Sequence, residues 1–205
     1  MKASPPANAQ WQSFMAEPAL YIDPERFAAF FDGAVTLPLC EKLRENRRLQ
    51  SRLSWLLRAH YQLDSGIGLE TLDEADMTIA LADPRVLESI ALRAGAIYWS
   101  SAIAGTVLAK AVNALHQHLG EELLGYAIAE RALGGPVQSL EPLETVGERI
   151  MDDGWRCFAE WCDAAPRAIA LRVRLKLPQG SMGDQPAPPE FKGKGAAIFR
   201  RAAAA

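Results

Sequence analysis

Apolar residues return at three- and four-residue spacing along most of the chain, and the stretch from Asp83 to Leu133 carries that pattern furthest. Asp83 followed by Pro84 is a helix start, since the aspartate caps free N–H groups and proline at the first helical position lacks an N–H that would go unpaired. Val86, Leu87, Ile90, Ala91, Ala94, Ile97 and Tyr98 then mark one face of a helix. From Ala94 to Ala109 the polar face vanishes, which predicts a central helix buried on most sides. That uncharged run falls short of the roughly 20 apolar residues a bilayer requires. Its small residues, among them Gly95, Ala96, Ala102 and Gly105, are expected to let neighbouring helices approach closely.

The same logic runs through the rest of the chain. Residues 1–10 read as a loose tail, ended by an apolar anchor at Trp11, Phe14 and Met15. Asp23-Pro24-Glu25 starts a short helix with Phe27, Phe30 and Phe31 on one side and Gly33 as its break. Beyond Pro38 a helical stripe of Leu39, Leu43, Leu49, Leu53, Leu56 and Leu57 is predicted. Ser65 to Gly68 reads as a turn, and Leu69 to Leu81 as a short helix. Gly120 suggests a helix junction, and Gly134-Gly135-Pro136 a firm stop. Thr145 with Glu148 three residues on matches a capping box, opening a helix that carries Ile150, Trp155, Phe158 and Trp161. The alternation from Leu171 to Leu177 has the form of a strand, but Pro166 opens the segment as it would a helix. Helix is the preferred reading, with a short strand near 170–177 as the alternative. After Pro178 the composition predicts a mobile tail, within which Ile198 to Arg201 have the makings of a short docking helix. The expected architecture is all-α: a multi-helix domain over 11–178 around one buried helix, with flexible tails at 1–10 and 179–205.

Composition narrows the function classes. A 49% hydrophobic fraction supports a real core, and a net charge of −3 gives no global attraction to nucleic acid or to anionic membranes. Charge is nevertheless uneven along the chain. Lys42, Arg44, Arg47, Arg48, Arg52 and Arg58 face only Glu41 and Glu45, after which the sign reverses through Asp64, Glu70, Asp73, Glu74 and Asp76. Cys40, Cys157 and Cys162 form neither a disulfide pattern nor a CxxC pair, so they read as small core residues in a cytosolic protein. The N-terminal MKASPPANAQWQSF has no apolar core of the length a secretory signal requires. His116 and His118 lie two apart and so point to different faces of a helix, which is wrong for a metal. No GxSxG, P-loop, dinucleotide loop or HExxH motif appears, and no cofactor or metal is expected. Two classes remain: a helical adaptor, or a helical small-molecule enzyme or ligand-binding protein with a pocket beside the central helix near Gly95 and Gly105.

The order of segments LRAGAIYWS, HLGEELLGYAIAER, DDGWRCFAEW and RLKLPQG, over roughly residues 20–180, resembles the SctK family, the YscK-type accessory proteins of bacterial type III secretion systems. The resemblance implies a cytosolic, mostly helical, non-enzymatic component of the sorting platform beneath the injectisome. It further implies protein partners, an SctQ-type pod protein and the cytosolic domain of an SctD-type inner-membrane ring protein, without insertion into the membrane. It carries over no binding residues. On charge alone, Arg44, Arg47, Arg48 and Arg52 are the expected docking surface, because complementary charge steers and orients protein encounters.

Overall fold

A computed structural model describes residues 5–63 and 72–205. Among them are eleven α-helices and no strand: α1 (Pro5–Ala16), α2 (Pro24–Phe30), α3 (Leu37–Glu45), α4 (Gln50–His60), α5 (Glu74–Leu81), α6 (Pro84–Tyr98), α7 (Ser100–Ala104), α8 (Ala109–Ala129), α9 (Val146–Ala164), α10 (Arg167–Arg174) and α11 (Gly195–Ala203). The turn expected at Ser65–Gly68 and the start of the helix expected at Leu69 lie outside the described residues. The chain divides into two compact units, the first drawing on residues up to Pro84 and on Ala165–Asp184, the second on Arg85–Ala164 and Gln185–Ala205.

The first unit is built on Ile22, Phe27, Cys40, Leu57, Leu63 and Leu175, which pack into one core. Its N-terminal segment is helical from Pro5, within the stretch read as a tail. Prolines are tolerated in a first turn, and Trp11 and Phe14 hold the helix by burying their rings, 5.5 Å apart. α2 starts as its sequence predicts: Asp23 accepts from the N–H of Glu25 at 2.9 Å and of Arg26 at 3.2 Å. The leucine-rich stretch after Pro38 is two helices, not one stripe. Asn46 ends α3, and the turn before α4 leaves Leu49 and Leu39 largely exposed while Leu53 and Leu57 are buried.

The strand alternative near 170–177 is overturned, because α10 is a helix begun by Pro166. The alternation misleads for a definite reason: two of its three cations do not face water. Arg172 and Lys176 are 2% and 5% exposed. The Arg172 guanidinium donates to the Met15 carbonyl at the end of α1 (2.9 Å) and to that of Leu63 (2.7 Å), and Lys176 Nζ donates to Ala80 (2.6 Å) and Ala82 (2.7 Å) at the end of α5. Helix C-termini leave carbonyls unpaired and carry negative partial charge, so buried cations there satisfy both.

In the second unit α6 begins at Pro84 as predicted, and Ala94 to Tyr98 are buried. The buried run is shorter than expected. Gly105 closes α7, and Val107 and Leu108 stand 90% and 70% exposed; Val86 too lies outside the buried face. Gly120, at φ +76°, kinks α8. Thr145 closes a 3-10 turn, its hydroxyl donating to Pro142, and that turn runs into α9 where the capping box was expected to start it. The expected mobile C-terminal tail is packed instead. Phe191 stacks on Tyr98 at 4.4 Å, and in α11 Ile198 and Phe199 are fully buried, the Phe199 ring 5.3 Å from that of Phe158. Three apolar anchors suffice to order a segment whose composition looks loose.

Candidate docking surface

The basic residues fall into two groups by what they touch. Those inside hold backbone: besides Arg172 and Lys176, Arg26 donates to the carbonyls of Leu177 and Pro178 and pairs with Asp184 (2.6 Å), while Arg149 gathers the carbonyls of Ser139, Leu140 and Pro142. None of these is available to a partner. The four arginines singled out by charge divide in the same way. Arg44 is half-buried, its guanidinium donating to Leu20 O at 3.2 Å and its own carbonyl accepting from Gln50 Nε2. It shapes the joint between α3 and α4.

Arg47, Arg48 and Arg52 are exposed. Asn46 Oδ1 accepts from the Arg48 N–H at 3.1 Å, an Asx turn that presents Arg47 and Arg48 at the corner before α4. Among the described residues no carboxylate pairs with these three guanidiniums. From Asn46 to Leu63 the chain carries four arginines and no acid. Sequence reasoning missed the other member of this surface, Trp55, which is 60% exposed on α4. The available signal was its register, three residues from Arg52 and opposite Leu53 and Leu57, but aromatic residues are so commonly buried that the indole reads as core until the helix is seen in place.

All three cysteines are buried and free, and burial pushes the thiols of Cys40 and Cys157 up. No group of three or more His, Cys, Asp or Glu among the described residues can hold a metal ion. The room expected beside Gly95 is occupied, since a Cβ there would lie 1.8 Å from the Ile150 carbonyl oxygen. A cleft of about 530 Å³ in the first unit includes Tyr21, Arg44 and Lys176, but Asp23 and Asp83 line it too and offset their charge. Among the described residues no helix is long and apolar enough to cross a membrane.

These features define a class, an all-α protein with buried cations clamping its helix ends and a bare basic corner. The profile of the family described as "YOP proteins translocation protein K (YscK)" matches residues 10–200, and the chain belongs to that family, as a type III secretion accessory protein. It is similar to the nodulation protein NolU of Rhizobium fredii, 27% identical over 191 residues that cover 90% of this chain and 82% of that protein. The NolU of Sinorhizobium fredii (strain NBRC 101917 / NGR234) matches with the same identity and coverage. No solved structure matches.

Proposed function

We propose that this chain is a non-enzymatic adaptor of a type III secretion sorting platform, joining an SctQ-type pod protein to the cytosolic domain of an SctD-type inner-membrane ring protein on the cytoplasmic side. The observation that carries the reading is the family match across residues 10–200. The surface supports it. Arg47, Arg48 and Arg52 stand exposed at the α3–α4 corner with Arg44 behind them, a local positive field on a chain of net charge −3. Such a patch steers and orients an acidic partner.

The test is co-purification of the tagged chain from its host at moderate salt, with bound proteins identified by mass spectrometry. Recovery of a pod or ring component is expected, and the Arg47→Glu, Arg48→Glu double variant should retain less than a tenth of it while melting like the wild type. A clean monomer carrying neither component sinks the adaptor reading.

A further inference from the structure

Within the basic corner one stripe differs in kind from the rest. Arg52 and Trp55, three residues apart, project from one side of α4, and Arg48, four residues before Arg52, stands exposed in the turn that leads into the helix through Leu49 (φ −95°, ψ −15°). That side is opposite the buried Leu53 and Leu57. A single exposed apolar residue is ordinary on a protein surface. Trp55 is not ordinary here: Trp11, Trp99 and Trp161 are 4%, 2% and 0% exposed and Trp155 is half-buried, against its 60%. One turn before it stands Arg52, and two turns before it Arg48, and no carboxylate of the described residues pairs with either guanidinium.

We infer that the Arg48–Arg52–Trp55 stripe of α4 receives an acidic, amphipathic segment of a partner protein, whose carboxylates meet the two guanidiniums while an apolar side chain covers the indole. This inference deepens the adaptor reading and rests on it for the identity of the partner. Arginine forks bind carboxylates bidentately, and tryptophan and arginine are the residues that most often carry binding energy at protein interfaces. The rival occupant of a basic aromatic face is an anionic membrane. An interfacial helix needs a broad apolar face turned to the lipid, and the apolar face of α4 is committed to the core through Leu53 and Leu57.

The experiment places a photo-crosslinker at the stripe in the full-length chain inside its host, Trp55→p-benzoylphenylalanine, with Val107→p-benzoylphenylalanine as a control at another exposed apolar position. The expected result is an adduct, absent at the control position, to a segment carrying at least two carboxylates beside an apolar residue. Its yield should fall at least tenfold when Arg48→Glu and Arg52→Glu are added. If that segment belongs to a pod or ring protein, the stripe and the adaptor reading both stand; if it belongs to another protein, the stripe stands and the adaptor reading falls only where co-purification recovers neither pod nor ring protein. An adduct to lipid, a segment without carboxylates, a yield unchanged by the charge reversals, or no adduct above control overturns the stripe. Pod or ring protein recovered by co-purification in those cases leaves the adaptor reading intact.

Discussion

Lys176 lies beneath two rings, 4.9 Å from the Phe14 centroid and 5.5 Å from that of Tyr21, with its ammonium on the Ala80 and Ala82 carbonyls. Burial pulls its pKa down to about 8, against a smaller opposing pull from Asp83. In the unfolded chain the same amine titrates near its ordinary value of 10.5. Between those values the unfolded state holds more protons, so the lysine's contribution to stability rises as pH climbs from 8 towards 10. The neutral amine still has two N–H donors for its two carbonyls. Lys176→Met leaves both carbonyls unpaired and is expected to cost about 2 kcal/mol at pH 7. The gap to wild type should widen between pH 8 and pH 10 in paired denaturant titrations; a gap that narrows contradicts the assigned environment. At this scale Asp23 and Pro166 were legible in the sequence, because capping and helix starts are local. The burial of Arg172 and Lys176 was not, since a basic side chain alternating with apolar ones gives no sign that a distant helix end will supply its carbonyls.

Helix α6 meets α9 through two glycines. A Cβ on Gly95 would sit 1.8 Å from Ile150 O, and one on Gly154 equally close to Ala91 O, so backbone lies against backbone at the crossing. The long apolar side chains around it, including Ile150, Phe158 and Trp161, are then drawn into full burial. Gly154→Ala forces the helices apart, at a cost of about 3 kcal/mol as overpacking goes. A fall in melting temperature on the order of 10 °C follows for a chain of this length. Calorimetry giving a melting point within about 2 °C of wild type would show that the crossing yields easily. The small residues of the α6 sequence predicted close approach, but the opposite member, Gly154, lies in a segment read only for its aromatic residues. Pairing two glycines from different helices is a tertiary fact.

The first unit takes α10 from late in the sequence, and the second takes α11 from its end. Each unit is therefore closed by residues that arrive last. A chain ending at Ala164 loses Leu175 from the core of the first and Phe199 from the rings around Phe158 in the second. It is expected to lack a cooperative thermal transition and to bind a hydrophobic dye; a sharp transition at the wild-type temperature would show that these closing segments are dispensable. By itself the sequence determined the all-α class, the starts of α2, α6 and α10, the burial of the cysteines and the location of the basic corner, because helical periodicity, capping and charge are written within a few residues of where they act. Tertiary structure alone decided which arginines remain exposed, that Trp55 joins them, and that the C-terminal segment through Phe191 and Phe199 is packed. Burial depends on which distant surface is free to cover a side chain, and no local pattern encodes that.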